Sequence, residues 1–138
     1  MQRWWLALRS VFRAPGVIEH QLPLLLVHAP ARAIVASRSE AERTVRLSHR
    51  LLGRFGRLRR LSVHRWRATC LYRSVAECLV LRELGFPARI LIGARRDDTG
   101  GTIEAHAWVE CEGITCASTP GDEHYEVLNA ASAVTAVL

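Results

Sequence analysis

The chain has 138 residues, 49% hydrophobic and 23% charged, enough for one globular core and too few for two independent ones. No apolar run approaches the ~18 residues of a membrane-crossing helix. The opening MQRWWLALRSVF, broken by Arg9, is not built as a secretory signal, so a cytoplasmic location is expected. The net charge of +6 hides a split: residues 1–69 carry fourteen Arg and three acids (net +11), whereas residues 70–138 carry five Arg and ten acids (net −5).

Trp5, Leu8 and Phe12 recur at helical spacing and predict a first helix that Pro15-Gly16 ends. Val17 to Val27 is a second apolar piece, interrupted at Pro23. Ser37 or Ser39 is placed to cap a third helix, with Glu40 and Glu42 at its electropositive start. Val45, Leu47, Leu51, Leu52 and Phe55 give that helix an apolar side, and Gly53 and Gly56 mark where it loosens. Thr69 is the expected N-cap of a helix from about Cys70 to Leu84, with Leu71, Val75, Cys78 and Leu79 as its core stripe. Gly85 stops it and Pro87 prevents its resumption. Ala88 to Ala94 reads as a strand, Arg95 to Gly101 as a turn-rich loop and Ile103 to Cys111 as a second strand. Glu112-Gly113 then reads as a tight turn and Ile114 to Ser118 as a third strand. Tyr125 to Leu128 offers an edge strand, and Asn129 a cap for a short last helix. The class is α+β within a single domain. A helical, Arg-rich half over 1–65 precedes a Cys-bearing helix packed on an antiparallel sheet over 66–138.

The basic side chains are all Arg, a planar donor set that suits carboxylates and phosphates and that GC-rich codon use also produces. They are densest between Arg50 and Arg67. Such a cluster invites nucleic acid, but no helix-turn-helix, zinc-finger or base-stacking motif accompanies it. A docking face for an acidic peptide or protein is at least as good a reading.

The four cysteines, at 70, 78, 111 and 116, lack the paired spacing of a zinc site, and no metal or organic cofactor is expected. Cys111 and Cys116 flank the expected turn, where a bridge is conceivable only in an oxidising compartment. Cys78, mid-helix on the apolar stripe, reads as a small core residue. Cys70 differs. As first residue of its helix it lies in the positive end of the helix dipole, beside unpaired backbone N–H groups, and both favour thiolate over thiol. His106, in GTIEAHAWVE, lies on the second strand with Glu104 and Trp108 on the same face. A lone strand His is more often structural than catalytic. The pair changes the weighing: a thiol at a helix start and an imidazole on the neighbouring sheet can form a thiolate–imidazolium couple that later protonates a leaving amine.

TCLYRSVAECLVLRELGFPARILIGAR followed by AHAWVECEG resembles the transglutaminase-like cysteine peptidases of lasso-peptide biosynthesis. The likeness covers about residues 66 to 118 and joins a Cys-Leu-x-Arg helix start, a Gly-hydrophobic-Pro-Ala turn and a His-Ala-Trp-Val-Glu strand, in order. It implies a papain-like or transglutaminase-like core and a leader peptidase acting on a ribosomally made precursor. It also implies two partners: a separate PqqD-like leader-recognition protein, for which the Arg-rich half is a candidate docking surface, and an asparagine-synthetase-like cyclase acting after cleavage. By position Cys70 takes the role of nucleophile and His106 that of base. The family's third residue, usually an Asp, falls near Ala117 or Ser118, and Ser118 is the nearest candidate. Glu104, Asp122 and Glu123 are substitute acids; Glu110, ~13 Å along the strand from His106, is a poor one. Trp66, just before the Cys helix, is a candidate cleft wall for substrate. Trp108 is a weaker candidate for substrate contact and a better one for packing beneath the site. The competing class is a basic peptide- or nucleic-acid-binding module in which Cys70 and His106 only pack.

Overall fold

The structure is a computed structural model, which describes residues 2–29, 32–57, 70–114, 116, 118, 120 and 124–129. Helix α1 spans Gln2–His20, α2 Leu22–Leu25, α3 Arg38–Arg57 and α4 Cys70–Glu83; strand β1 spans Arg89–Arg96, β2 Ile103–Glu110 and β3 Glu126–Val127. The α+β class holds, with the three long helices packed on one another and α4 against a small antiparallel sheet.

Helix α1 does not stop at Pro15-Gly16. It continues to His20 with Pro15 inside it. The apolar series Ala7, Val11, Ala14 and Val17 runs straight across the proline and is buried throughout, so packing outweighs the one backbone hydrogen bond that proline removes. At α3 the expected cap is Ser37. Its Oγ accepts from the Glu40 N–H at 3.3 Å while Glu40 Oε2 accepts from the Ser37 N–H at 3.2 Å, a reciprocal capping box. The helix runs past Gly53 to Arg57. Thr69, the expected cap of α4, lies outside the described residues.

Helix α4 is the centre of the molecule. A single stripe was expected, but Ser74 to Cys78, Val80 and Leu81 are all buried, because α1 and α3 cover one side and the sheet another. Each fully buried Val or Leu there contributes about 1.5–3 kcal/mol of transfer free energy. The helix stops where Gly85 predicts. Gly85 has φ +93°, its N–H donates to Arg82 O at 3.0 Å and the Phe86 N–H to Leu81 O at 2.9 Å, the paired bonds of a Schellman cap. A Cβ on Gly85 would stand 2.2 Å from Ala33 O. Arg82 then ties three elements together, donating to Leu24 O, Val27 O and Ala88 O. Arg9 of α1 pairs with Glu83, which puts the first half of α1 beside the end of α4. Cys70 therefore lies at the opposite end, about 20 Å away along the helix.

The sheet order is β2-β1-β3, all antiparallel. The first strand runs two residues further than expected, through Arg95 and Arg96, because β2 pairs with it all the way from Arg89↔Glu110 to Arg96↔Ile103. Ile114, Cys116 and Ser118 lie in no strand, whereas the edge strand expected over Tyr125 to Leu128 forms as Glu126–Val127, on the far edge of β1. Asn129 does not begin a described helix. Its side chain mimics a strand residue, accepting from Ile92 N–H at 2.7 Å and donating to Ile90 O at 2.8 Å, with a third bond to Leu26 O.

These bonds fix the other side of the sheet. Since Ile90 and Ile92 spend their polar groups on Asn129 and Leu128, their partners Val109 and Ala107 turn theirs outward, away from β1. Two serines meet that outer edge of β2. Ser74 Oγ donates to Ala107 O at 2.9 Å, and Ser118 Oγ accepts from the Val109 N–H at 3.0 Å.

Candidate active site

Cys70 is the first residue of α4, half-buried, and packs on the larger core cluster. Ser74, one turn on, holds this end of α4 against the outer edge of β2 through Ala107, the neighbour of His106.

His106 lies on the sheet face that carries Gly93 and Arg95 of β1 and Glu104 and Trp108 of β2; Ile90, Ile92, Ala107 and Val109 on the other face join the core with α4. Its Nε2 is 3.2 Å from Ser118 O. A carbonyl only accepts, so this contact assigns the proton to Nε2 and leaves Nδ1 with the lone pair of a base. Ser74 of α4 and Ser118, whose carbonyl meets the imidazole, thus both bond the outer edge of β2. Among the described residues no hydrogen bond joins Cys70 Sγ to the ring; nucleophile–base contacts commonly tighten only when substrate is bound.

Ser118 does meet His106, but not by the group expected. Its hydroxyl is taken by the Val109 N–H, and its backbone carbonyl faces the imidazole. The geometric cause is the outward N–H of β2, which captures the hydroxyl. Glu104 is unavailable as a substitute acid, since Arg95 Nε and Nη2 both donate to its Oε2 at 2.8 Å. Glu110 is held at 2.7 Å by Arg89. Asp122, Glu123 and Trp66 lie outside the described residues. Trp108 is 8% exposed and stacks on His106, with centroids 5.9 Å apart and an interplanar angle of 17°.

The other thiols are set apart by burial. It pushes the Cys78 thiol up from 9.0 to about 12, against the lowering effect of Arg82. Burial, then the Glu77 carboxylate, pushes Cys111 and Cys116 up as well. All four cysteines are free thiols. Cys70 is the half-exposed member of the four, which makes it the accessible nucleophile.

Sequence reasoning missed several residues around this centre. Ser74 gives no signal, since its hydroxyl meets a backbone carbonyl 33 positions away. Tyr125, whose ring lies 5.4 Å from His106, was visible only as part of an edge strand. Glu77 is 1% exposed in mid-helix and faces His49 Nε2 at 3.4 Å. A carboxylate buried in mid-helix was a legible clue to a polar partner across the core.

The model of the transglutaminase-like superfamily matches residues 4–130. The chain belongs to that superfamily. The match takes in the Cys helix, the His strand, the Ser118 segment and nearly all of the helical half. Membership sets this transglutaminase-like chain among folds of cysteine peptidase and acyl-transferase character. No curated protein and no solved structure matches it. Among its described residues, no helix is long and apolar enough to cross a membrane, and no group of His, Cys, Asp and Glu could hold a metal ion.

Proposed function

We propose that this chain is a cytoplasmic cysteine peptidase that removes the leader from a lasso-peptide precursor. The observation that carries the reading is the outer edge of β2, which Ser74 of the Cys70 helix and Ser118 beside His106 both bond. The helix that begins with Cys70 is fastened there by Ser74, and His106 is turned there by the Ser118 carbonyl. The transglutaminase-like match and the CLYR and HAWVE motifs support it.

His106 Nδ1 takes the thiol proton, and the Cys70 thiolate attacks the scissile carbonyl. The C–N bond breaks as the imidazolium gives its proton to the leaving amine, which becomes the free N-terminus of the core peptide. Water, deprotonated by His106, then attacks the thioester; the C–S bond breaks, the leader leaves as a carboxylate and the thiol is restored. The dipole of α4 and the Cys70 N–H favour the anionic species in both halves. A PqqD-like recognition protein delivers the leader, and an asparagine-synthetase-like cyclase uses the freed amine.

The test is cleavage of a candidate precursor, with and without the recognition protein, followed by mass spectrometry. Cys70→Ala and His106→Ala should each abolish leader release, and the wild type should form a Cys70-linked thioester trappable at low pH. Cleavage that survives Cys70→Ala ends this reading.

One observation favours a second reading. Arg3, Trp4, Arg43, Arg46, Leu47 and Arg50 line a groove of about 500 Å³ between α1 and α3, with no acidic residue in its wall. A module that holds acidic peptide or nucleic acid there would bind with a steep salt dependence and be indifferent to Cys70.

A further inference from the structure

Tyr125 stands one residue before β3. Its ring centroid is 5.4 Å from that of His106 at 32°, and 6.0 Å from that of Trp108 at 48°. With Trp108 stacked at 17°, the imidazole has two aromatic rings as neighbours. The room for them comes from Gly93, the register partner of His106. A Cβ there would meet both the Trp108 ring and Tyr125 Cβ at 2.8 Å. Tyr125 is itself fixed. Arg95 Cζ lies 5.1 Å from its centroid, and Arg95 is anchored across the sheet on Glu104.

We propose that Tyr125 is a positioning residue for His106: its ring keeps the imidazole beside Trp108 with Nε2 on the Ser118 carbonyl, and favours the imidazolium once it forms. The inference rests on the role given to His106 above. Aromatic π-systems attract a cation, and the protonated ring is the state that stabilises the Cys70 thiolate. The arrangement also balances a competing charge. Arg95 is a second cation against Tyr125, and without Glu104 its field would oppose protonation of His106. Among the described residues, the charged and titratable groups tied to the imidazole through these contacts are Arg95 from β1, Glu104 from β2 and Tyr125 itself. The helix packed on β2 carries Cys70, Tyr72 and Arg73 in its first turn.

The experiment is an NMR titration of the His106 imidazole in the full chain, together with the pH profile of Cys70 alkylation. Tyr125→Leu should lower the His106 midpoint by about half a pH unit, about 0.7 kcal/mol at 1.36 kcal/mol per unit. It should also slow Cys70 alkylation at neutral pH by about threefold, the population change that half a unit implies. Tyr125→Phe, which keeps the ring, should restore both. Glu104→Gln keeps the aromatic rings, so it remains informative if the Leu variant unfolds. Leaving Arg95 uncompensated, it should also lower the midpoint. A midpoint unmoved by Tyr125→Leu, or by Glu104→Gln where the Leu variant cannot be titrated, overturns the proposal. So does a Phe variant as impaired as Leu. Cleavage surviving Cys70→Ala would end the peptidase reading yet leave these midpoints where they are, so the two failures are distinguishable.

Discussion

Replacing Ser118 by Ala separates the two contacts this residue makes. The hydroxyl accepts from the N–H of Val109, a residue 1% exposed on the outer edge of β2. Removing it strands a buried donor, which costs about 1–3 kcal/mol. Ser118 is half-buried, so water can replace part of the bond and the lower half of that range applies. For a chain of this size each kcal/mol moves Tm by about 3–5 °C, so a fall of about 3–10 °C is expected. The carbonyl that faces His106 Nε2 survives the substitution. Cys70 alkylation at neutral pH, well below the lowered Tm, should therefore stay within about tenfold of wild type, whereas loss of an imidazole-orienting carboxylate in a triad costs about 10⁴ in turnover. Differential scanning calorimetry and timed alkylation with peptide mass mapping give the two numbers. An unchanged Tm combined with a collapse of Cys70 reactivity would refute the reasoning, because it would make the hydroxyl the orienting group.

The buried thiols predict an alkaline weakness. The folded chain retains protons on Cys78, Cys111 and Cys116 that the unfolded chain releases above about pH 9, so stability falls as pH rises. For Cys78 the fall is about 1.4 kcal/mol per unit between 9.0 and about 12; urea midpoints at pH 8 and pH 10 measure it, and Cys78→Ala should shallow the slope. At pH 8 iodoacetamide should label Cys70 in the native protein while Cys78 waits for unfolding. Gly93→Ala puts a methyl against Trp108 and Tyr125 and should cost about 1–3 kcal/mol with a loss of Cys70 reactivity; a neutral outcome would mean the aromatic group is loose. Asn129→Leu leaves Ile90 O and Ile92 N without their partners and should cost about 2–4 kcal/mol, read as a denaturant midpoint shifted at constant m.

Much of the frame was legible because it rests on local rules. The Ser37 cap, the Gly85 stop and the pairing strands follow from side-chain chemistry within a few positions. Pro15 misled because a local breaker was outweighed by Ala14 and Val17, whose burial depends on partners far along the chain. Both Ile114 to Ser118 and Tyr125 to Leu128 carry β-prone residues and both read as strands, but the described sheet takes only the second, because its partner is the free edge of β1. At the site, Cys70 and His106 stood out by residue type and setting. What holds them did not, since Ser74, Ser118 and Asn129 act through single bonds to distant backbone atoms and leave no periodicity.

The Ser74 bond also has a mechanical consequence. It acts as a pivot near one end of a rigid rod, with Cys70 only about 6 Å on the short side and Glu83 about 14 Å on the long side. A 10° swing of α4 about that pivot carries Glu83 through about 2.4 Å but Cys70 through only about 1 Å, close to the misplacement at which catalysis begins to suffer. Forces applied at the Arg9–Glu83 end thus reach the thiol geared down by more than half.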